Sequence, residues 1–270
     1  MTARGATAGR PERRASLPDL TEVLELEATG ENRYRANAVV GEDLALYGGQ
    51  VAAQALRAAG LTVGPDRRPH SLHGYFLRRG DSSLPSDYEV FRDRDGGSFS
   101  ARRVVAIQRG EVIFSMAASF HAPRETWASQ AEPMPATQQP DDLRPSRLHR
   151  LVSMESRFPE QPFADQMAWP TRFWARVTVP LPPDPLVQAC ALTYLSDIST
   201  GIMPAGDGSA RPGPSLDHAV WFHHPANLND WVLLDYHPRV TGNGRGWYNG
   251  SIFRQDGTLV ASLAQEQLFR

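Results

Sequence analysis

At 270 residues, with 41% hydrophobic and 21% charged side chains, the chain has the make-up of an ordinary globular protein and the length for one large or two small domains. A net charge of −2 excludes the electrostatic footprint of a nucleic-acid binder, and no apolar run approaches the roughly 20 residues that span a bilayer. All 28 basic residues are arginine, which excludes Schiff-base lysine chemistry, and the single Cys190 excludes an intramolecular disulfide or a multi-cysteine metal site and suggests a reducing, cytoplasmic setting.

Residues 1–16 are rich in Arg, Gly and Ala without an apolar h-region, so they read as a disordered tail rather than a secretory signal, with a transit peptide as the alternative. Residues 17–28 predict a short amphipathic helix and residues 32–40 a first strand. Gly48-Gly49 then opens an Ala-rich helix that closes at Gly60, and its small side chains suit tight packing against a sheet. Strands follow over residues 69–77 and 88–93, then a long hairpin over residues 98–120. Alternate residues of a strand share a face, so Val112, Phe114, Met116, Ala118 and Phe120 form one apolar side of that hairpin.

Residues 123–162 change in character to prolines and charged pairs, as in a connector, with a modest helical stretch near 148–154. A strand over 173–179, a helix over 186–197 and a Gly- and Pro-rich loop over 201–214 come next; such a loop has room to move. Strands over 217–223 and 231–236 lead to a closing hairpin over 246–267 that turns at Asp256-Gly257, a dipeptide whose glycine tolerates the positive φ a tight hairpin needs.

The same order of strand, helix, strands and hairpin thus occurs twice. Aligning the copies sets Gly60 against Asp197, His70 against Ser215, His73 against His218 and Ala118 against Gln265. This predicts a duplicated α+β unit: an N-terminal unit over 17–122, a linker over 123–167 and a C-terminal unit over 168–270. An amide thereby falls in a core-facing slot. A buried polar group without a partner costs about 1–3 kcal/mol, so Gln265 either satisfies a neighbour or faces a cavity with work to do.

Five stretches carry a family resemblance: Tyr47-Gly48-Gly49-Gln50-Val51-Ala52-Ala53-Gln54, His70-Ser71-Leu72-His73-Gly74-Tyr75-Phe76-Leu77, Gly97-Ser98-Phe99-Ser100-Ala101-Arg102-Arg103-Val104, Leu216-Asp217-His218-Ala219-Val220-Trp221-Phe222-His223 and Gln255-Asp256-Gly257-Thr258-Leu259-Val260. Together they resemble the type II acyl-CoA thioesterases, from about residue 41 to the C-terminus. The resemblance implies a double hot-dog fold, in which two repeats of a long helix are each wrapped by a curved antiparallel sheet. It also implies hydrolysis of fatty acyl-CoA to free acid and CoA without a covalent intermediate; no cofactor and no metal are expected. An Asp, a Thr or Ser and a Gln orient the water in that family, and they carry over to Asp197, Ser215 and Gln265, with Ser where Thr is common. The expected partner is acyl-CoA substrate, with no nucleic acid and no membrane, in a homo-oligomer of two or four chains.

The residue types suit the chemistry. A partly buried carboxylate gains basicity, while a hydroxyl and an amide fix the orientation of a water. Asp217 is the nearest rival carboxylate, spaced to share a strand face with Ser215, and His70 or His73 is a rival base. His218, His223 and His224 invite a metal site but lack a carboxylate at a zinc-enzyme spacing. Arg102, Arg103 and Arg245 are candidates for CoA phosphates. No Gly-x-Ser-x-Gly elbow occurs, which disfavours a serine hydrolase. The competing functions are a non-catalytic acyl-CoA or lipid binder of the same fold and an enoyl-CoA hydratase.

Overall fold

The computed structural model describes residues 18–39, 45–124, 127–148, 151–167, 169–198 and 212–269. The expected tail over 1–16 and most of the expected loop over 201–214 lie outside them. Helix α1 (Leu20–Leu24) is capped by Asp19 in a reciprocal capping box with Glu22. It is shorter than expected because β1 (Glu27–Gly30) turns back at Asn32, whose φ is 54°, and pairs with β2 (Arg33–Ala36). Next come α2 (Gly48–Gly60), β3 (Arg68–Phe76), β4 (Ser86–Asp95), β5 (Phe99–Gln108) and β6 (Glu111–His121). The β5–β6 turn places Arg109 and Gly110 at φ 51° and 78°, the left-handed pair of a two-residue hairpin.

Between the halves run β7 (Pro145–Ser146) and β8 (Met154–Arg157); where a helical stretch was expected near 148–154, the described residues form a turn that leads into β8 at Met154. Each is too short for local propensity to specify it; β8 exists because it pairs with β9 (Arg172–Val177). The chain continues through α3 (Pro185–Ser196), β10 (Pro212–Ser215), β11 (Asp217–Phe222), β12 (Val232–Gly242), β13 (Arg245–Arg254) and β14 (Leu259–Phe269).

Among the described residues all these strands belong to one antiparallel sheet in the order β1-β2-β4-β5-β6-β3-β11-β14-β13-β12-β9-β8-β7, with β10 pairing on β14. The halves meet where β3 pairs with β11, His218 opposite Gly74. On one side of the sheet, α2 and α3 bury their small and apolar residues in a single core, with Ala52, Ala53, Ala55, Cys190 and Ala191 fully enclosed. On the other side the connector does packing work. Met134 and Leu143 cover Trp174, Trp231, Leu233 and Phe253, and the Trp174 indole donates to the Gln138 carbonyl at 2.9 Å. No described helix is long and apolar enough to cross a membrane.

The two helices run antiparallel and touch end to end. A Cβ on Gly48, at the start of α2, would lie 2.5 Å from an Asp197 carboxylate oxygen, and one on Gly60 would collide with Leu186 at the start of α3.

Candidate active site

Asp197 stands at the C-cap of α3 with φ −82° and ψ 11°, the sparsely populated bridge region. The last carbonyls of a helix have no partner within it. Here two buried tyrosines take them: Tyr47 donates to the Tyr194 carbonyl at 2.8 Å and Tyr236 to the Ser196 carbonyl at 3.1 Å. The final turn is thereby tied down, and with it the carboxylate of Asp197, which is 4% exposed. Burial and the charge of Asp197 hold both phenols well above their ordinary pKa, so they stay protonated donors.

Gln265 reaches the same point from β14, on the inward face with Leu263 and Gln267. Its amide nitrogen donates to Asp197 Oδ1 at 2.8 Å and to Ser215 Oγ at 2.5 Å, and the Ser215 hydroxyl lies 3.4 Å from the same carboxylate oxygen. The three residues singled out by the sequence therefore come from α3, β10 and β14 into one hydrogen-bonded group, against the first turn of α2.

The rivals lie elsewhere. Asp217 does not share a face with Ser215, because the register on β14 slips by one residue between Ser215 opposite Gln267 and Ala219 opposite Ala264. Its carboxylate accepts from the Glu266 amide at 2.7 Å and meets His73 at 3.0 Å on the exposed side. His70 bonds Ser119 at 2.8 Å. Among the described residues no cluster of His, Cys, Asp or Glu has the makings of a metal site. Arg102 is 1% exposed and spends its guanidinium on Thr62, Asp95 and backbone carbonyls, so it is a core residue and no phosphate ligand. Arg103 pairs with Asp93 and Arg245 with Glu266.

One participant escaped the sequence reading. His218 is fully buried, and its Nδ1 lies 2.6 Å from the Gln265 carbonyl oxygen, its Nε2 2.8 Å from Ser196 Oγ. Burial pushes its pKa down to about 4, so the ring is neutral at physiological pH. Its expected counterpart, His73, is exposed opposite Ala117; the residue facing Ala118 across β3 and β6 is Leu72. One residue of offset in a strand exchanges the faces, and period-two reading of Gly74, Leu72 and Ala118 as one inward row was the signal available.

Comparison with known proteins agrees with this architecture. Family models described as the acyl-CoA thioesterase N-terminal domain and C-terminal domain match residues 40–121 and 118–269. The chain is 34% identical to acyl-CoA thioesterase 2 of Haemophilus influenzae over 94% of this chain and 98% of the relative, and 32% identical to human acyl-coenzyme A thioesterase 8 over 93% and 88%. Among solved structures, an acyl-CoA thioesterase II, TesB2, from Mycobacterium marinum superposes with a TM-score of 0.79 at 39% identity, covering 93% of this chain and 96% of that one. A hot dog fold protein from Alicyclobacillus acidocaldarius superposes at 0.74 with 20% identity over 92% and 97%, which speaks for the fold alone. The fold is thus a hot dog, a long antiparallel sheet holding few helices. The chain belongs to the acyl-CoA thioesterase family, a family of thioester hydrolases.

Proposed function

We propose that the protein hydrolyses fatty acyl-CoA to free acid and CoA, with the attacking water held by Asp197, Ser215 and Gln265. The observation that carries this is the convergence of the three side chains within 3.4 Å in a place where the carboxylate is almost wholly enclosed. A carboxylate stripped of most of its water is a better proton acceptor than one in solution. Asp197 takes a proton from the water; the oxygen attacks the thioester carbonyl carbon; the C–S bond then breaks, and the proton goes to the departing sulfur. Ser215 and Gln265 supply a hydroxyl and an amide that orient the water and reduce the entropy of reaching the transition state. The carbonyl oxygen gathers negative charge as attack proceeds. The first-turn amides of α2, beside Asp197 at Gly48, are uncommitted within their helix and carry the positive end of its dipole, which suits them as oxyanion donors.

We infer, further, that the chain is a double hot dog with units over 17–122 and 168–270 joined by 123–167, and that the C-terminal unit carries the chemistry. The antiparallel helix pair supports this. At one end Gly48 makes room for Asp197, and at the related end Gly60 faces Leu186, so only one of two related places holds a carboxylate. Assembly into a dimer or tetramer is tested by sedimentation.

Release of CoA thiol from a panel of acyl-CoAs tests the activity, and chain-length preference is read from the same panel. Removal of the base in Asp197→Ala should lower kcat by about 100-fold or more. Turnover undiminished in that variant removes the mechanism. Tight acyl-CoA binding without thiol release would instead make the protein a binder, and addition of water to an enoyl-CoA with the thioester intact would make it a hydratase.

A further inference from the structure

The carboxamide of Gln265 works only one way round. With nitrogen towards Asp197 and Ser215 it donates to both; reversed, it would set an oxygen against a carboxylate. Nothing in the acid and alcohol alone forbids a rotation of the amide that keeps one contact and loses the other. His218 supplies the missing constraint. Its Nδ1 meets the Gln265 carbonyl oxygen at 2.6 Å, and an amide oxygen can only accept, so the imidazole proton lies on Nδ1. Nε2 is then an acceptor, and the Ser196 hydroxyl lies 2.8 Å from it, closer than the 3.0 Å to its other acceptor, the Thr193 carbonyl.

The hydrogen bonds thus run in one sense, from the Ser196 hydroxyl through the imidazole and the amide to the Asp197 carboxylate. Every donor finds an acceptor, which a buried chain of polar groups requires. A second observation comes from the other half of the molecule. Where β3 pairs with β6 as β11 pairs with β14, Leu72 faces Ala118. The imidazole and the amide are therefore present together in one half and replaced together, by apolar residues, in the other.

We propose that His218 is a positioning residue for hydrolysis: its Nδ1 proton locks the Gln265 carboxamide in the orientation that serves Asp197 and Ser215. This rests on the catalytic reading of Asp197, Ser215 and Gln265 given above. His218 touches no reacting atom and acts through Gln265.

The test is a double-mutant cycle on thiol release, with melting temperatures measured alongside. His218→Leu keeps the volume and removes the donor, and is expected to lower kcat tenfold or more, on the order of the 10- to 100-fold typical for loss of an orienting partner, with KM little changed. His218→Asn offers an amide N–H near the position of Nδ1 and should restore most of that loss. In a Gln265→Ala background His218→Leu should do nothing further. The proposal is overturned if His218→Leu retains kcat within about twofold while Gln265→Ala is impaired, or if the two losses multiply. Full activity of Gln265→Ala by itself would instead sink the underlying triad. Should His218→Leu fail to fold, nitrogen NMR of histidine-labelled wild-type enzyme decides: a slowly exchanging proton on Nδ1 of the buried ring, with Nε2 bare, is expected, and the opposite tautomer overturns the proposal.

Discussion

Gly48 is the position where one methyl group does most. Its added Cβ would lie 2.5 Å from Oδ2 of the buried Asp197 carboxylate and 2.9 Å from the half-buried Phe76 ring. Gly48→Ala should therefore cost roughly 1–3 kcal/mol of stability, the usual range for overpacking, and displace the carboxylate, so that kcat falls. Gly60→Ala collides instead with both methyls of Leu186, at the end of the helix pair away from Asp197, so it should cost stability and keep its activity. Paired thermal melts and thiol-release rates of the two variants check this contrast. His218 makes a second residue-scale prediction. Burial lowers its folded pKa from 6.5 to about 4, so the unfolded chain binds its proton more readily and stability falls as pH drops from 6.5 towards 4. The loss amounts to roughly 3 kcal/mol at its full extent. Urea midpoints of wild type and His218→Asn between pH 7 and pH 4, compared within about a day of mixing, should show a shallower acid slope in the variant.

At the scale of elements, the one-residue slip between β10 and β11 separates two side chains that a regular strand would put together. Ser215 turns in towards Asp197, and Asp217 turns out towards His73. Asp217→Asn keeps an oxygen for the Glu266 amide and is expected to retain thiol release within about twofold, whereas Ser215→Ala should lose roughly 100-fold, as when one preorganised donor is removed. Helix α3 offers another probe. Cys190 is wholly enclosed in its interior and burial pushes the thiol up to about 12, so it neither reacts nor disturbs a thiol assay while the protein is folded. Labelling of the native protein by a thiol reagent at a rate matching free cysteine would contradict that. The helices and the two long hairpins were legible because each carries a local cause, such as the left-handed Arg109-Gly110 and Gly257 turns. Strands β7 and β8 were not, since their existence depends on β9.

For the molecule as a whole, the pairing of β3 with β11 makes one sheet of both halves, and one core runs beneath it. Unfolding should accordingly be a single transition, with fluorescence, far-UV circular dichroism and Cys190 labelling sharing one urea midpoint. Separated midpoints would mean that the halves stand independently. The chain by itself determined the helices and long hairpins, the resemblance to the thioesterases and the candidacy of Asp197, Ser215 and Gln265, and it gave the grounds for proposing a repeat, because period, turn chemistry and motif are written in neighbouring residues. Where the strand register slips was left to the tertiary structure. A bulge set Asp217 aside, one residue of register put Leu72 rather than His73 in the place corresponding to His218, and the pairing of β11 with β14 brought that buried imidazole onto Gln265. Strand register is a property of pairs, and a single strand does not contain it.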